Sequence, residues 1–219
     1  TMLEVYQAYT DCEGMINLTQ DLICYLAKEV LGKEELVYQG KTIGLKTPWN
    51  RQSFAVLVKD KFGIDPRDSS AGMLNKLQAK GYALDKNRLS RSQINKIVED
   101  ALERDLQANP VFITDYFTSL CPLAKVSKDN PLISERFELY LAGMEVANAY
   151  SELNDPLEQR RRFEEEIKDL TGEEDKLENN GLPSDRQSQK RVDDDYLLAL
   201  EHGMPPAGGL GIGIDRLVM

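Results

Sequence analysis

The sequence predicts an α+β fold, an antiparallel sheet with helices against it and a helical insertion at about residues 53–109. Three observations predict it. Strand character at the front of the chain gives way to helical stripes at Ser53 and returns at Val111. The dipeptide Ala142-Gly143 separates two strand-like arms, 137–141 and 144–153, which makes a tight hairpin and therefore antiparallel pairing. The length of 219 residues suits one domain, or one large domain with an insertion.

The elements follow in order. Residues 1–9 read as a strand. Over 14–31, Met15, Leu18, Leu22, Leu26 and Val30 form a helical apolar stripe, and Gly32 supplies the C-terminal cap. Residues 36–45 read as a small hairpin turning at Gln39-Gly40. Ser53 is placed to cap a helix over 54–62, and a second helix over 71–80 is stopped by Gly81. Ser90 with Gln93 forms a capping box for a third, ending near Asn109-Pro110. Strand returns at 111–117 and in the central hairpin. Asp155 and Pro156 then start a helix as cap and first-turn proline. Residues 172–190 are polar and read as a mobile loop. Asp193-Asp-Asp195 opens a short helix closed by Gly203, with His202 in its last turn. That end signal favours helix capping over a metal site for the three aspartates.

The chain is acidic, with 37 Asp and Glu against 27 Lys and Arg. This balance argues against sequence-blind nucleic-acid binding by this segment, so most phosphate contacts to any RNA would come from elsewhere. The short basic run Arg160-Arg-Arg162 reads as a solvated helix face. Cys12, Cys24 and Cys121 are widely spaced and lack metal-ligand spacing; they read as reduced thiols in a cytosolic protein. His202 is the only histidine, which leaves a histidine triad or zinc site without its ligands. No apolar run approaches the ~20 residues of a membrane helix.

The hairpin carries the first candidate site. A two-residue turn pairs Leu141 with Met144 and Tyr140 with Glu145, so Glu138, Tyr140, Glu145 and Ala147 share a face. Two carboxylates there repel, and a divalent cation such as magnesium removes that cost. Taken by themselves, the residues favour two solvated glutamates. Asn148, Tyr150 and Glu152 alternate on the next stretch and could hold an amino acid with a long cationic side chain: carboxylate to ammonium, ring over the methylenes, amide to the carboxyl end. Their parity is opposite to that of Glu145, so a single site requires a β-bulge between Glu145 and Asn148. Glu4 and Tyr6 alternate in the first strand, which also fits a plain amphipathic strand. In Gly209-Leu-Gly-Ile-Gly-Ile-Asp-Arg216, alternate glycines clear one strand face for a flat ligand, and Arg216 at the strand end can clamp a phosphate. A tight packing role for these glycines fits equally well.

With Pro205-Pro206 upstream, this last stretch resembles motif 3 of the class II aminoacyl-tRNA synthetases. The block Arg136-Phe-Glu-Leu-Tyr-Leu-Ala-Gly-Met-Glu-Val-Ala-Asn-Ala-Tyr-Ser-Glu-Leu-Asn-Asp155 resembles the lysine-specific branch. So do Thr1-Met-Leu-Glu-Val-Tyr-Gln-Ala-Tyr9, Cys121-Pro-Leu-Ala-Lys125 and Leu200-Glu-His-Gly-Met-Pro-Pro206, in the family's order. The resemblance implies a partial catalytic domain over 1–219, from the end of motif 2 through motif 3, with 53–109 as the helical insertion. It implies activation of lysine by ATP and transfer to tRNA(Lys), as part of a longer cytoplasmic enzyme. Glu138 and Glu145 then bind magnesium, Arg216 holds the γ-phosphate, and Gly211 and Gly213 lie against ATP. Asn148 meets the lysine carboxylate, Glu4 the α-amine, and Tyr6 and Glu152 the ε-amine, with Tyr150 beside them. Ala147 and Ala149 stand where the family favours glycine at the second position, and a methyl there would narrow the pocket.

Motif 1, a dimer element, and the motif 2 arginine have no counterpart in the sequence. The expectation is therefore a fragment whose full-length protein is a homodimer, and which is inactive by itself. Two alternatives stay open: a paralogue that lysylates elongation factor P, and a non-catalytic nucleotide-binding synthetase-like fragment. The first-strand pattern, the insertion and the glycine-rich motif 3 favour the synthetase over the paralogue.

Overall fold

The computed structural model describes residues 1–84, 89, 91–177 and 192–219. A six-stranded sheet forms its centre. It is built from β1 (Met2–Ala8), β4 (Asn50–Ser53), β5 (Val111–Phe117), β6 (Ile133–Leu141), β7 (Met144–Ser151) and β8 (Ala207–Gly213), in the order β1-β8-β7-β6-β5-β4. A separate hairpin pairs β2 (Glu35–Tyr38) with β3 (Lys41–Gly44) through Gln39 and Gly40, both at positive φ. The central pairings are antiparallel except at the far edge, where β4 runs parallel to β5. That exception follows from the chain path. Residues 54–110 lie between the two strands in sequence, and parallel neighbours need a long crossover.

One sheet face is covered by α1 (Cys12–Leu26). Met15, Ile16 and Ile23 pack against Phe112, Phe137, Leu139, Ala147, Ala149, Leu210 and Ile212. Asp11 caps this helix, accepting from the Gly14 amide at 3.0 Å, so it starts two residues before the expected Gly14. Its last turn loosens into a π-turn, Ala27–Leu31, and stops at Gly32 with φ 67°.

On the opposite face, helices cover β5 and β6. There α2 (Phe54–Phe62), α3 (Ser70–Ala79) and α4 (Arg91–Glu103) share one cluster with Ile113, Tyr116, Phe117 and Tyr140. Ser53 precedes α2 in extended geometry but makes no side-chain cap bond. The expected capping residue Ser90 lies outside the described residues. Helix α4 ends at Glu103, six residues before the expected stop. Lys61 Nζ takes the Ala101 carbonyl at 2.7 Å, and Ala108 and Asn109 bond instead to Ala142 and Gly44.

Asp155 starts α5 (Pro156–Leu177) as expected, its Oδ1 accepting from the amides of Leu157 and Glu158. Residues 172–177 continue this helix rather than forming a loop; the rest of the polar stretch lies outside the described residues. Asp193 caps α6 (Asp194–Glu201), which ends at His202 and Gly203, and α7 (Ile214–Val218) follows β8 directly. Among the described residues no helix is long and apolar enough to cross a membrane.

Candidate active site

The hairpin turn sets the site's geometry. Ala142 and Gly143 have φ 56° and 78°, the left-handed pair of a two-residue hairpin loop. Leu141 then faces Met144 and Tyr140 faces Glu145, but the next pair is Leu139 with Ala147. Val146 is the extra residue of a β-bulge, where the parity argument requires one. Beyond it Asn148 stands opposite Glu138, and Tyr150 opposite Arg136. The bulge thus brings Glu138, Tyr140, Glu145, Asn148 and Tyr150 to one face. It also sends Ala147 to the other, correcting the expectation that Ala147 shares the face of Glu138. Ala147 and Ala149, buried against α1, have their methyl groups in the core and do not narrow the site.

The glycines of β8 continue this face. Gly211 lies between Glu4 of β1 and Asn148 of β7, and Gly209 between Tyr6 and Tyr150. Gly213 pairs with Met2. The result is a backbone floor bordered by Glu4, Tyr6, Asn148 and Tyr150. Helices α2–α4 lie over the other half of this face, while here Asn148, Tyr150, Gly211 and Gly213 are partly exposed. Glu4 and Tyr6, on the edge strand, are exposed.

At one end of the floor Glu152 is only 7% exposed, and its Oε1 has no hydrogen-bond partner. Burial pushes its carboxyl up to about 7. Burial and then the Glu152 charge push Tyr150 up to about 12; burial, then Glu4 and Glu152, raise Tyr6. A buried carboxylate with an unpaired Oε1, whose charge reaches the Tyr6, Tyr150 and Tyr196 phenols, has the chemistry to take a cation.

At the other end Glu138 is buried and saturated. Tyr116 and Tyr140 donate to its Oε2 at 2.5 and 2.7 Å, and Arg136 and Asn148 donate to Oε1. The Arg136 guanidinium also lies 4.5 Å from the Tyr116 ring centre. Glu145 is half-buried, and Arg216 Nη1 reaches its carbonyl at 2.5 Å and its Oε2 at 3.4 Å. Burial and the Glu138 charge raise the Glu145 carboxyl, against the pull of Arg216. Helix α4 adds Glu103, whose Oε1 lies 3.0 Å from the Tyr140 hydroxyl and competes with Glu138 for its one proton, and Glu99, whose carboxyl burial pushes up to about 7. The fit to a divalent cation is partial. Glu145 has lone pairs to offer, whereas Glu138 must first give up one of four donors. Among the described residues no cluster of three or more such ligands is assembled.

Sequence reasoning missed Arg136, Tyr116 and Glu103 as parts of this site, and placed Tyr140 on its face without a role. Arg136 could have been found by its alternation with Glu138. Tyr116 could not, because a bulge at Asp115, with φ 58°, turns it toward Glu138.

A family model described as tRNA synthetases class II (D, K and N) matches residues 1–219. The chain belongs to this family. It is 40% identical to a lysine–tRNA ligase of Thermoanaerobacter sp. (strain X514) and 41% identical to those of Carboxydothermus hydrogenoformans and Trichormus variabilis. Each match covers all of the chain and 42%, 43% and 37% of the relative. The chain thus spans about two-fifths of the length of these curated relatives. In this class II synthetase chain the motif 3 glycines are the floor and Arg216 stands at its end.

Proposed function

We propose that this chain is the lysine- and ATP-binding part of a lysine–tRNA ligase, which activates lysine with ATP and transfers it to tRNA(Lys). The observation that carries the reading is the unpartnered, buried Glu152 carboxylate beside Tyr6 and Tyr150, at the end of a glycine floor whose far end carries Arg216. An ammonium is the ligand group that satisfies it.

In this reading lysine lies along the floor with its ε-amine on Glu152 and Tyr6 and its methylenes against Tyr150. Asn148 holds the carboxylate and Glu4 the α-amine. The carboxylate attacks the α-phosphorus in line and pyrophosphate leaves; a lysyl-adenylate results. Such a step needs positioning and charge neutralisation more than a general base. ATP lies over Gly211 and Gly213, and Arg216 exchanges Glu145 for the γ-phosphate. Magnesium, bound by Glu145 and by Glu138 once it frees a lone pair, would neutralise phosphate charge. Residues 53–109 are an insertion in this domain, and the full-length protein is a cytoplasmic homodimer.

The test is lysine-dependent pyrophosphate exchange in a protein that supplies the remaining motifs, beside calorimetry of lysine and Mg-ATP on this chain. Exchange with lysine but not with ornithine or arginine is expected. Equal exchange with all three would overturn the reading of Glu152.

A further inference from the structure

The basic run on α5 divides. Arg160 and Arg161 pair with Asp194, Glu158 and Glu165 at the surface, whereas Arg162 is only 5% exposed. This corrects the expectation of a solvated face for all three. Arg162 Nη1 donates to the carbonyls of Ala124 and Cys121 at 2.6 and 3.2 Å, and Nε donates to Glu158 at 2.9 Å. One turn earlier, the fully buried Gln159 donates Nε2 to the Pro122 carbonyl at 3.1 Å. Two side chains of one helix thus hold three carbonyls of the segment 121–124.

That segment is the lateral support of Glu152. The Lys125 amide donates to Ser151 O at 2.8 Å and the Leu153 amide to Leu123 O at 3.0 Å, with Ala124 bridged to Glu152 between them. On its other side the Glu152 amide donates to Ala207 O at 2.8 Å. Glu152 lies just past the end of β7, so the segment 121–125 is what continues the sheet beside it. Cys121 Sγ in turn accepts from Arg136, the partner of Glu138. We infer that Arg162 and Gln159 are positioning residues for the Glu152 carboxylate, acting through the backbone of 121–125. The inference rests on the reading of Glu152 as the ammonium's partner. A carboxylate with no hydrogen bond of its own at Oε1 is aimed by its backbone and by packing. An arginine is suited to the task because its fork serves Glu158 and two carbonyls at once, which a lysine cannot do.

The experiment compares wild type with Arg162→Lys, Arg162→Met, Gln159→Met and Glu152→Gln by amide hydrogen exchange and by lysine and Mg-ATP calorimetry. In Arg162→Met, exchange at the amides of Lys125, Glu152 and Leu153 should speed by about tenfold or more, while Phe137 and Leu139 stay protected. Lysine affinity should fall about tenfold and Mg-ATP affinity change by less than about twofold, because misplacing one ligand group affects only the contacts it makes. Arg162→Lys should lie between, and with Gln159→Met it carries the test if Arg162→Met does not fold. Faster exchange across the whole sheet, or local loosening with unchanged lysine affinity, overturns the proposal. If wild type and Glu152→Gln both fail to bind lysine, the reading of Glu152 falls. The exchange pattern then still decides whether the α5 clamp holds this strand end.

Discussion

Gly209 vacates the space that the Glu152 carboxylate fills: a Cβ on Gly209 would stand 1.9 Å from Glu152 Oε1 and 2.9 Å from Tyr6 Cε1. The glycine is required by the carboxylate above it, and its φ is not what demands it. Gly209→Ala must therefore push Glu152 or Tyr6 aside. Overpacking of this kind costs about 1–3 kcal/mol. The expected outcome is a lower urea midpoint together with loss of lysine binding; unchanged lysine affinity would show that Glu152 is not where lysine binds.

Glu152→Gln separates stability from binding. The ammonium loses its charged partner, at about 3–5 kcal/mol for a broken buried pair, so lysine affinity should fall by at least two orders of magnitude. The unliganded variant should be more stable than wild type at pH 8. The wild-type carboxyl titrates near 7 when folded and near 4.3 when unfolded. Its raised value costs nothing below the unfolded pKa, penalises folding increasingly as pH rises toward 7, and does so fully above it. Urea midpoints of the two proteins should coincide at pH 4 and diverge at pH 8.

If Glu152 takes the lysine ammonium as proposed, the same titration makes its binding pH-dependent. An ammonium binds the ionised carboxylate, so affinity should rise as pH increases through 7 and level off above, with a proton released at neutral pH. Calorimetry in buffers of different ionisation enthalpy reads that release. Affinity that is flat from pH 6 to 8 would argue for a carboxylate already ionised.

Deleting Val146 removes the bulge. Ala147 then follows Glu145 directly and keeps its place opposite Leu139, and Asn148 its place opposite Glu138, so the floor keeps its residues while the core loses the buried Val146 side chain. The expected result is a lower urea midpoint with lysine affinity retained, and loss of lysine binding in the variant would show that the bulge shapes the site beyond setting which face each residue takes.

Local chemistry made much of the fold legible in the sequence. Ala142-Gly143, Gln39-Gly40, Gly32 and Asp155-Pro156 each place a turn or a helix end through their own backbone preferences. The bulge was legible indirectly, because the hairpin register and a single site could not both hold without it. Strand β4 was not. Asn50-Arg-Gln-Ser53 has no apolar alternation and is a strand by pairing with residues 111–114, far along the chain. The saturation of Glu138 was equally hidden, since its donors come from β5, β6 and β7, and only three-dimensional packing brings them together.

The pairing of β1 with β8 joins segments far apart in the sequence, from Met2 opposite Gly213 to Ala8 opposite Ala207. Glu4 and Tyr6 come from one of these strands and the glycine floor from the other. The floor therefore depends on a strongly non-local pairing, which closes against a large loop entropy. The central hairpin, whose arms are separated by two residues, can form long before it. Ligand competence should thus be the last property acquired during refolding, and the first lost when the β1 edge frays. A bound lysine or nucleotide that bridges β1 and β7 would act as the staple between them.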